Sequence, residues 1–311
     1  MILDISRRFM NADLIKKILD EISVYGGDYL QIHFSDSENY AVESKVLGNI
    51  DNQHLTKKDV KSILEYANDR NVMVIPDFDV PSHSRYWLNL VKNKYGDETY
   101  NKVVSDFDDN LVDYFNNEFA VSFLKTIIDE ITEMFYQDKF KDKLVYSLGA
   151  DEVPGTNNFQ KDYIGFVNKI ASYVTEKGYK PRMWNDSISI DGIDMLNKNI
   201  EVVYWQEGFL PVTTFFEKNI PIHNSNFYLL TFSPSKDSNS TSYINEQVNF
   251  LKAKYALNSF KHKDNPYDII TPYESLKGTA YTFWNERGIE LTDEQILWQI
   301  RDLTRSYLNL I

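Results

Sequence analysis

The chain has 311 residues, of which 42% are hydrophobic and none is cysteine. This length can bury a large core, and the missing thiols exclude disulfides, a cysteine nucleophile and thiolate metal sites. Lysine and arginine number 33 against 46 aspartates and glutamates, which gives a net charge of −13 and argues against nucleic acid or an anionic membrane as a partner.

The spacing of the histidines argues against a metalloprotein, and the hydropathy pattern argues against a membrane-spanning protein. The five histidines are scattered without metal-ligand spacing, so we expect no metal and no organic cofactor. No apolar stretch is long enough to cross a bilayer, and residues 1–25 form a charged amphipathic segment rather than a signal peptide. As the sequence stands we expect a cytoplasmic protein, or a secreted one if a leader was removed.

In the first half of the chain, short apolar runs alternate with amphipathic helical patterns. After the run MILDI, Asn11 is placed as a helix N-cap, and Thr56 and Asp59 are spaced as the capping box of a second helix. YLQIHF, NVMVIPDF and LVYSLG are interpreted as strands two to four. The predicted inward helix faces are Leu14, Ile15, Ile18, Leu19 and Ile22; Val60, Ile63, Leu64 and Ala67; and, after an irregular stretch over 80–116, Phe119, Phe123, Ile127 and Ile131.

The second half of the chain repeats this alternation with shorter helices. KPRMWND, EVVYWQE, PIHNSNFYLL and GTAYTFWNE are interpreted as strands five to eight, and Thr292 begins a closing amphipathic helix. The polar run at 232–242 is interpreted as a loop because the eighth strand still has to follow it. Eight strand-then-helix units predict one α/β domain over residues 1–311, a single (β/α)8 TIM barrel without a separate N-terminal domain.

The carboxyl ends of the predicted strands collect acids and tryptophans. Asp151 and Glu152 stand side by side just past strand four, where two ionised carboxylates would repel each other. Such a pair is either two exposed surface acids without a catalytic role or an active-site acid with a neighbour. TIM-barrel chemistry lies at these strand ends, and three of the five tryptophans also fall there, which favours an active site. The other strand-end residues are Asp4, Arg7, His33, Asp36, Asp77, Asp79, His83, Trp184, Asn185, Asp186, Trp205, Glu207, Tyr228, Trp284 and Glu286.

Glycoside hydrolysis uses this combination of groups. It needs a carboxylic acid to protonate the leaving oxygen, a second group to stabilise the oxocarbenium-like centre, and aromatic walls for the sugar ring. Ordinary retaining enzymes place two carboxylates about 5–5.5 Å apart on different strands, whereas neighbours at one strand end point in different directions. The alternative is substrate assistance, in which a 2-acetamido oxygen of the sugar is the nucleophile, one acid orients that amide and the other protonates the leaving group.

Several stretches resemble the family 20 β-N-acetylhexosaminidases, and most closely the dispersin B type, which cleaves poly-N-acetylglucosamine. LDISRRF is similar to the family's opening L-D-x-x-R-H/R-F, and LGADE is similar to its H-x-G-G/A-D-E signature. IHFSDSENYAVES, IPDFDVPSH, RMWND, VVYW and FWNE match further family segments, and all of these stretches occur in the family's order. The resemblance implies a TIM barrel that removes terminal β-linked N-acetylhexosamine with retention, by substrate assistance.

The resemblance also implies a role for each candidate residue. Glu152 would be the general acid and then the base, while Asp151 would hold the acetamido nitrogen and stabilise the oxazolinium-like intermediate. Tyr228 would hydrogen-bond the acetamido oxygen, although its segment also aligns with shifts of one or two residues. The other implied substrate-binding residues are Arg7 and Glu286 at the outer hydroxyls of the sugar, Trp184, Trp205 and Trp284 around its acetamido methyl and ring, and Asp36 and His83 in a polar chain behind Glu152.

Departures from the family pattern leave other functions open. Ser147 and Ala150 stand where the signature has His and Gly, and the segment after Trp205 is shorter than the loop of the dispersin type, which should alter contacts to sugars beyond the first. The alternatives are a poly-N-acetylglucosamine (biofilm matrix) hydrolase, a catalytically silent carbohydrate-binding barrel and, with little support from the histidines, a metal-dependent deacetylase. The expected partner is an N-acetylhexosamine-terminated oligosaccharide or poly-N-acetylglucosamine.

Overall fold

Eight parallel strands form the centre of the molecule. The computed structural model describes residues 1–49, 51, 53–260 and 274–311. Each strand pairs in parallel with the next one along the chain. The strands are β1 (Ile2–Asp4), β2 (Tyr29–Ser35), β3 (Met73–Phe78), β4 (Val145–Ser147), β5 (Lys180–Trp184), β6 (Glu201–Tyr204), β7 (Ile222–Asn224) and β8, which has two segments, Leu276–Thr279 and Thr282–Phe283.

The two segments of β8 close this sheet into a barrel. The first segment pairs with β7 and the second pairs with β1, so the last strand joins the seventh strand to the first. Ala280 N donates to Asn224 O at 2.9 Å and Ile2 N donates to Tyr281 O at 2.8 Å, which carries the pairing across the interruption. The predicted (β/α)8 TIM barrel is therefore confirmed.

Helices surround the barrel and bury most of the predicted apolar faces. Asn11 accepts from Leu14 N at 3.0 Å, and the hydroxyls of Thr56 and Thr292 each begin a capping box. The apolar faces of the first two helices are buried as predicted. Within the described ranges, no helix combines the length and the apolar character needed to cross a membrane. The helices are α1 (Ala12–Val24), α2 (Lys57–Asp69), α3 (Arg85–Tyr95), α4 (Asp97–Val103), α5 (Glu118–Met134), α6 (Gln160–Glu176), α7 (Ile190–Ile193), α8 (Val212–Glu217), α9 (Phe227–Leu230), α10 (Thr241–Lys254) and α11 (Asp293–Leu308).

The connection between β3 and α5 differs from its prediction. It is not irregular, because it contains α3, α4 and an antiparallel hairpin formed by Val104–Ser105 and Asp108–Val112. Phe119 was predicted to face inward and is exposed. The buried stripe of α5 runs through Ala120 and Leu124, and Phe119 lies beside that stripe.

The end of strand seven also differs from its prediction. The strand stops at Asn224 instead of continuing through NFYLL. The Asn226 side chain accepts from the backbone amides of Tyr228 and Leu229, and it thereby starts the short helix α9. A two-residue strand, Thr231–Phe232, then pairs with the second segment of β8.

The barrel interior contains a group of charges below the strand ends, called here the lower cluster: Arg182, Glu201 and His223. Arg182 Nη2 lies 2.8 Å from Glu201 Oε2, and His223 Nε2 lies 3.0 Å from the same oxygen. Burial and the Arg182 charge lower the pKa of His223 to about 4. Burial raises the pKa of Glu201, but the contacts with His223 and Arg182 lower it well below its usual range. At neutral pH the cluster is a buried ion pair beside a neutral histidine.

Candidate active site

A cavity of about 510 Å³ opens at the carboxyl ends of the barrel strands. Every predicted site residue except Tyr228 contributes to its lining. A TIM barrel gathers its functional side chains at this end, because each strand delivers its last residues to the same rim. The lining residues are Arg7, His33, Asp36, Asp79, His83, Asp151, Glu152, Trp184, Trp205, Gln206, Phe227, Thr231, Trp284 and Glu286.

Tyr228 lies beside the residues that line the cavity. It belongs to α9 and is 41% exposed. Its neighbour Phe227 lines the cavity instead, with its ring centre 5.7 Å from that of Trp205. The turn of helix at this point decides which of the two aromatic residues meets the cavity. Tyr228 is not among the lining residues, and its catalytic role stays a prediction.

The chain bends sharply where β4 meets the acid pair. Gly149, Ala150 and Glu152 have φ values of 64°, 64° and 50°. These values lie in the left-handed region, which residues other than glycine seldom adopt. Glycine is required at position 149, because a Cβ there would lie 2.0 Å from Asp79 Oδ1. The same Asp79 oxygen holds the bend by accepting from Ala150 N at 3.0 Å. The bend gives the adjacent acids separate environments, since the Asp151 side chain is 14% exposed and that of Glu152 is 58% exposed.

A chain of alternating acids and histidines runs from the acid pair into the barrel. We call it the mouth cluster: Glu152, His83, Asp36, His33 and Asp77. His83 Nε2 lies 3.4 Å from Glu152 Oε2, and His83 Nδ1 lies 3.1 Å from Asp36 Oδ1. On the other side of Asp36, its Oδ2 lies 3.0 Å from His33 Nε2, and His33 Nδ1 lies 3.4 Å from Asp77 Oδ2. The predicted polar chain behind Glu152 is therefore longer than two residues.

Arg7 and Glu286 line one edge of the cavity. Arg7 Nη2 lies 2.6 Å from Asp36 Oδ2, and the guanidinium carbon lies 5.4 Å from the ring centre of Trp284. Glu286 Oε1 accepts from Ser233 Oγ at 2.9 Å. In the described structure Arg7 and Glu286 form no ion pair with each other, and the Arg7 guanidinium instead contacts Asp4, Asp36 and Glu38.

Glu152 and His83 hold one proton between them at neutral pH. The contact with His83 lowers the pKa of Glu152 and outweighs its burial. Burial lowers the pKa of His83, but the Asp79 charge and the contacts with Asp36 and Glu152 raise it well above 6.5. Transfer of the proton from His83 to Glu152 would give Glu152 its acid form, so the pair is the titrating unit.

Burial raises the pKa of three further carboxyl groups at the site. Burial raises the pKa of Asp151 and of Asp79, and the charge of Asp151 raises that of Asp79 further. Burial, followed by the charge of Asp151, raises the pKa of Asp186 to about 7. Asp186 accepts from Trp205 Nε1 at 3.0 Å and from Glu152 N at 2.8 Å. Asp186 therefore fixes both an aromatic wall and the backbone of the exposed acid.

Three tryptophan rings form the aromatic walls of the cavity. The ring centre of Trp184 lies 6.4 Å from that of Trp205 and 6.0 Å from that of Trp284. Trp184 Nε1 and Asp151 Oδ1 are both buried, and neither has a hydrogen-bond partner among the described residues. Buried polar atoms are normally paired, so one free donor and one free acceptor in the same cavity indicate a polar ligand.

Comparison with known proteins identifies the family. The sequence profile of the glycosyl hydrolase family 20 catalytic domain matches residues 1–299. This chain belongs to glycosyl hydrolase family 20. Beta-hexosaminidase A of Caenorhabditis briggsae is 27% identical over 280 residues, which cover 82% of this chain and 44% of the relative. Beta-hexosaminidase subunit beta of Mus musculus is 30% identical over 230 residues, which cover 67% of this chain and 38% of the relative.

Solved structures agree with the family 20 assignment at the level of the fold. The crystal structure of Dispersin B has a TM-score of 0.90 and 24% identity, and the match covers 100% of this chain and 98% of that one. A family 20 β-N-acetylhexosaminidase from Streptomyces coelicolor has a TM-score of 0.70 and 17% identity, covering 99% of this chain and 63% of that one. By contrast, the chain spans less than half the length of the curated relatives named above.

Several residues at the site have no role that their sequence pattern predicts. Asp79, His33 and Asp186 were recognisable only by their position at strand ends, which does not reveal their contacts. Phe227 and Thr231 enter the lining because α9 turns the chain after strand seven. That turn depends on the helix cap formed by Asn226, which the sequence pattern places inside a predicted strand.

One group of site residues has the composition of a metal site. Ligand atoms of Asp79, His83 and Asp151 lie within 4.8 Å of one another. Both acids have raised pKa values, so a cation would have to displace protons from them. His83 already contacts Asp36 through Nδ1 and Glu152 through Nε2. The arrangement suits proton sharing among these groups better than it suits a divalent cation.

Proposed function

We propose that this chain removes terminal β-linked N-acetylhexosamine from oligosaccharides, with retention of configuration and with the acetamido group of the substrate as nucleophile. The observation that carries the proposal is the division between the adjacent acids. Asp151 is buried with an unpartnered oxygen, whereas Glu152 is exposed at the mouth beside a protonated His83. Relatives named beta-hexosaminidase support this class of sugar.

In the first step of the proposed reaction, the acetamido oxygen attacks C1 and the bond from C1 to the leaving oxygen breaks. Glu152 receives the proton that it shares with His83 and gives it to the leaving oxygen, which leaves Glu152 ionised for the second step. Asp151 accepts from the acetamido N–H, and the positive charge that develops on the oxazolinium ring favours its ionised form. The pKa of Asp79 is raised more strongly than that of Asp151, so Asp151 is the more readily ionised of these two neighbours.

In the second step water attacks C1 from the side that the leaving group has vacated. Glu152 accepts a proton from this water, and the bond between C1 and the acetamido oxygen breaks. Two successive inversions at C1 give net retention, and the acetamido group is regenerated. The tryptophan walls and the edge formed by Arg7 and Glu286 would hold one terminal sugar residue during both steps.

The first test compares hydrolysis of aryl β-N-acetylglucosaminide, aryl β-N-acetylgalactosaminide and aryl β-glucoside, with poly-N-acetylglucosamine alongside. We expect turnover of the acetamido sugars and none of the glucoside, because the glucoside lacks the nucleophile. Cleavage of the polymer in preference to the aryl sugars would instead favour a matrix hydrolase. Binding of N-acetylglucosamine without turnover of any substrate would indicate a silent carbohydrate-binding barrel and contradict the proposal.

Single substitutions test the division of roles between the two acids. Glu152→Gln and Asp151→Asn should each lower kcat by about 10²–10⁴-fold, because each removes a proton donor or the group that orients the nucleophile. A thiazoline mimic of the oxazolinium intermediate should still bind Glu152→Gln, since that variant keeps Asp151. Near-full activity in either variant would contradict substrate assistance.

A further inference from the structure

Exposed aromatic rings stand on the rim beside Glu152, outside the cavity already described. We call Phe107, Phe115 and Phe159 the aromatic shelf. Phe107 is 51% exposed and Phe159 is 43% exposed. Phe115 is partly buried beneath them, with ring centres 5.7 Å from Phe107 and 5.0 Å from Phe159. Large exposed rings that are grouped in this way mark a binding surface more often than isolated ones do.

The shelf packs against the segment that follows the exposed acid Glu152. A Cβ on Gly155 would lie 3.4 Å from the Phe159 ring and 3.6 Å from the Phe107 ring. Gly155 is three residues after Glu152, so their Cα atoms are at most about 11 Å apart. Tyr114 fixes this segment by donating from its hydroxyl to Pro154 O at 2.9 Å.

The topology places the shelf on the leaving-group side of the mouth. Glu152 follows β4 and Glu286 follows β8, which is four strands away round an eight-stranded barrel and therefore opposite. The hairpin that carries Phe107 lies between β3 and β4, on the side of Glu152. A general acid must contact the oxygen of the leaving group, so a leaving sugar extends toward the shelf and away from Glu286.

The hairpin is fixed in place before any ligand arrives. Ser84 N donates to Asn110 O at 3.1 Å, and Val112 N donates to Pro81 O at 2.8 Å. The Asn110 side-chain oxygen accepts from Ser37 Oγ at 2.9 Å. These bonds join the hairpin to the chain on both sides of His83, so the Phe107 ring is presented by a rigid support.

We propose that Phe107 and Phe159 form a subsite for the first sugar residue on the leaving-group side, a neutral pyranose whose apolar ring face packs on the aromatic rings. The inference rests on the proposed glycosidase function. Asn157 and Asn158 are exposed next to Phe159 and supply amide groups for the hydroxyls at the rim of such a ring. The shelf therefore selects substrates in which the leaving group is itself a sugar.

The test measures kcat/KM for Phe107→Ala and Phe159→Ala on two substrates. One is an N-acetylglucosamine disaccharide of the β-linkage that the wild type cleaves fastest. The other is N-acetyl-β-glucosaminyl fluoride, whose leaving group has no ring. Each variant should lose about three- to tenfold on the disaccharide and less than about twofold on the fluoride, because only the disaccharide reaches the shelf. Phe250→Ala is the matched control, since Phe250 is 41% exposed, close to Phe159, but lies on α10.

The outcomes separate the subsite from the reaction itself. An equal loss on both substrates, or no loss on the disaccharide, would overturn the subsite while leaving the proposed function intact. A wild-type chain that hydrolyses neither substrate would overturn the function and the subsite with it. The thiazoline inhibitor occupies only the terminal-sugar position, so its inhibition constant should be unchanged in both variants, and a change would also count against the subsite.

Discussion

His223 in the lower cluster and His33 in the mouth cluster are both buried inside the same barrel, yet their pKa values shift in opposite directions. Burial and Arg182 lower the pKa of His223 to about 4. Burial also lowers that of His33, but its contacts with Asp36 and Asp77 raise it well above 6.5. Burial alone therefore does not decide whether a histidine in this barrel is charged.

The balance of neighbouring charges explains the difference. In the lower cluster Arg182 and Lys180 already neutralise Glu201, so a positive charge on His223 would be unpaired. At the mouth, carboxyl groups outnumber the fixed cation Arg7, and protons supply the missing positive charge. Those protons can leave, whereas the charge of an arginine cannot. The lower cluster, whose acid is neutralised by fixed cations, stabilises the fold. The mouth cluster, whose acids are neutralised by protons, is available for acid–base chemistry.

The largest expected effect on stability comes from breaking the lower cluster. Arg182→Met removes the buried cation beside Glu201 and leaves it the partly exposed Lys180, at 2.8 Å, and we expect a loss of about 3–5 kcal/mol in the free energy of unfolding. Urea unfolding followed by tryptophan fluorescence measures it. The double variant Arg182→Met with Glu201→Leu is the control and should recover part of the loss. If the free energy of unfolding of Arg182→Met lies within about 1 kcal/mol of that of the wild type, a structural role for the pair is contradicted.

At the mouth, removing a proton carrier should change the pH profile more than the stability. His83→Gln leaves Glu152 to hold its proton alone, near the ordinary glutamate pKa of about 4.3. The alkaline limb of kcat/KM should move to lower pH by more than about two units, with a loss of at least about 100-fold at pH 7. The measurement is kcat/KM from pH 3 to 9 on an aryl N-acetylglucosaminide. An unshifted limb would show that the pair does not titrate as a unit.

A smaller effect is expected from the protonated acid beneath Trp205. The pKa of Asp186 is about 7 in the folded protein and 3.8 without the fold. Between these values the folded state holds a proton that the unfolded state has lost, so Asp186 makes stability fall as pH rises through this window. Asp186→Asn removes this contribution. The fall in Tm from pH 4 to pH 7 should therefore be a few degrees smaller in the variant, and equal slopes would contradict the raised pKa.

Much of the barrel could be predicted from the sequence because its signals are local. The faces of α1 and α2 and their caps depend on spacing within one helix, and both were predicted correctly. The prediction failed at α9, where Asn226 forms a cap inside a run with strand-like composition. It failed also at the connection before α5, where the hairpin takes part of its backbone hydrogen bonding from the segment around Pro81.

The sequence by itself determined which residues reach the mouth, because the carboxyl end of every barrel strand faces the same rim. Arg7, Glu152 and Trp284 follow from that rule together with the family resemblance, whereas Phe227 and Thr231 line the cavity because of the turn at α9. Only the tertiary structure decided the protonation states of the site residues. The proton between Glu152 and His83 and the raised pKa of Asp186 depend on burial and on distances between charges from different strands. Electrostatic energy follows those distances, and a sequence does not state them.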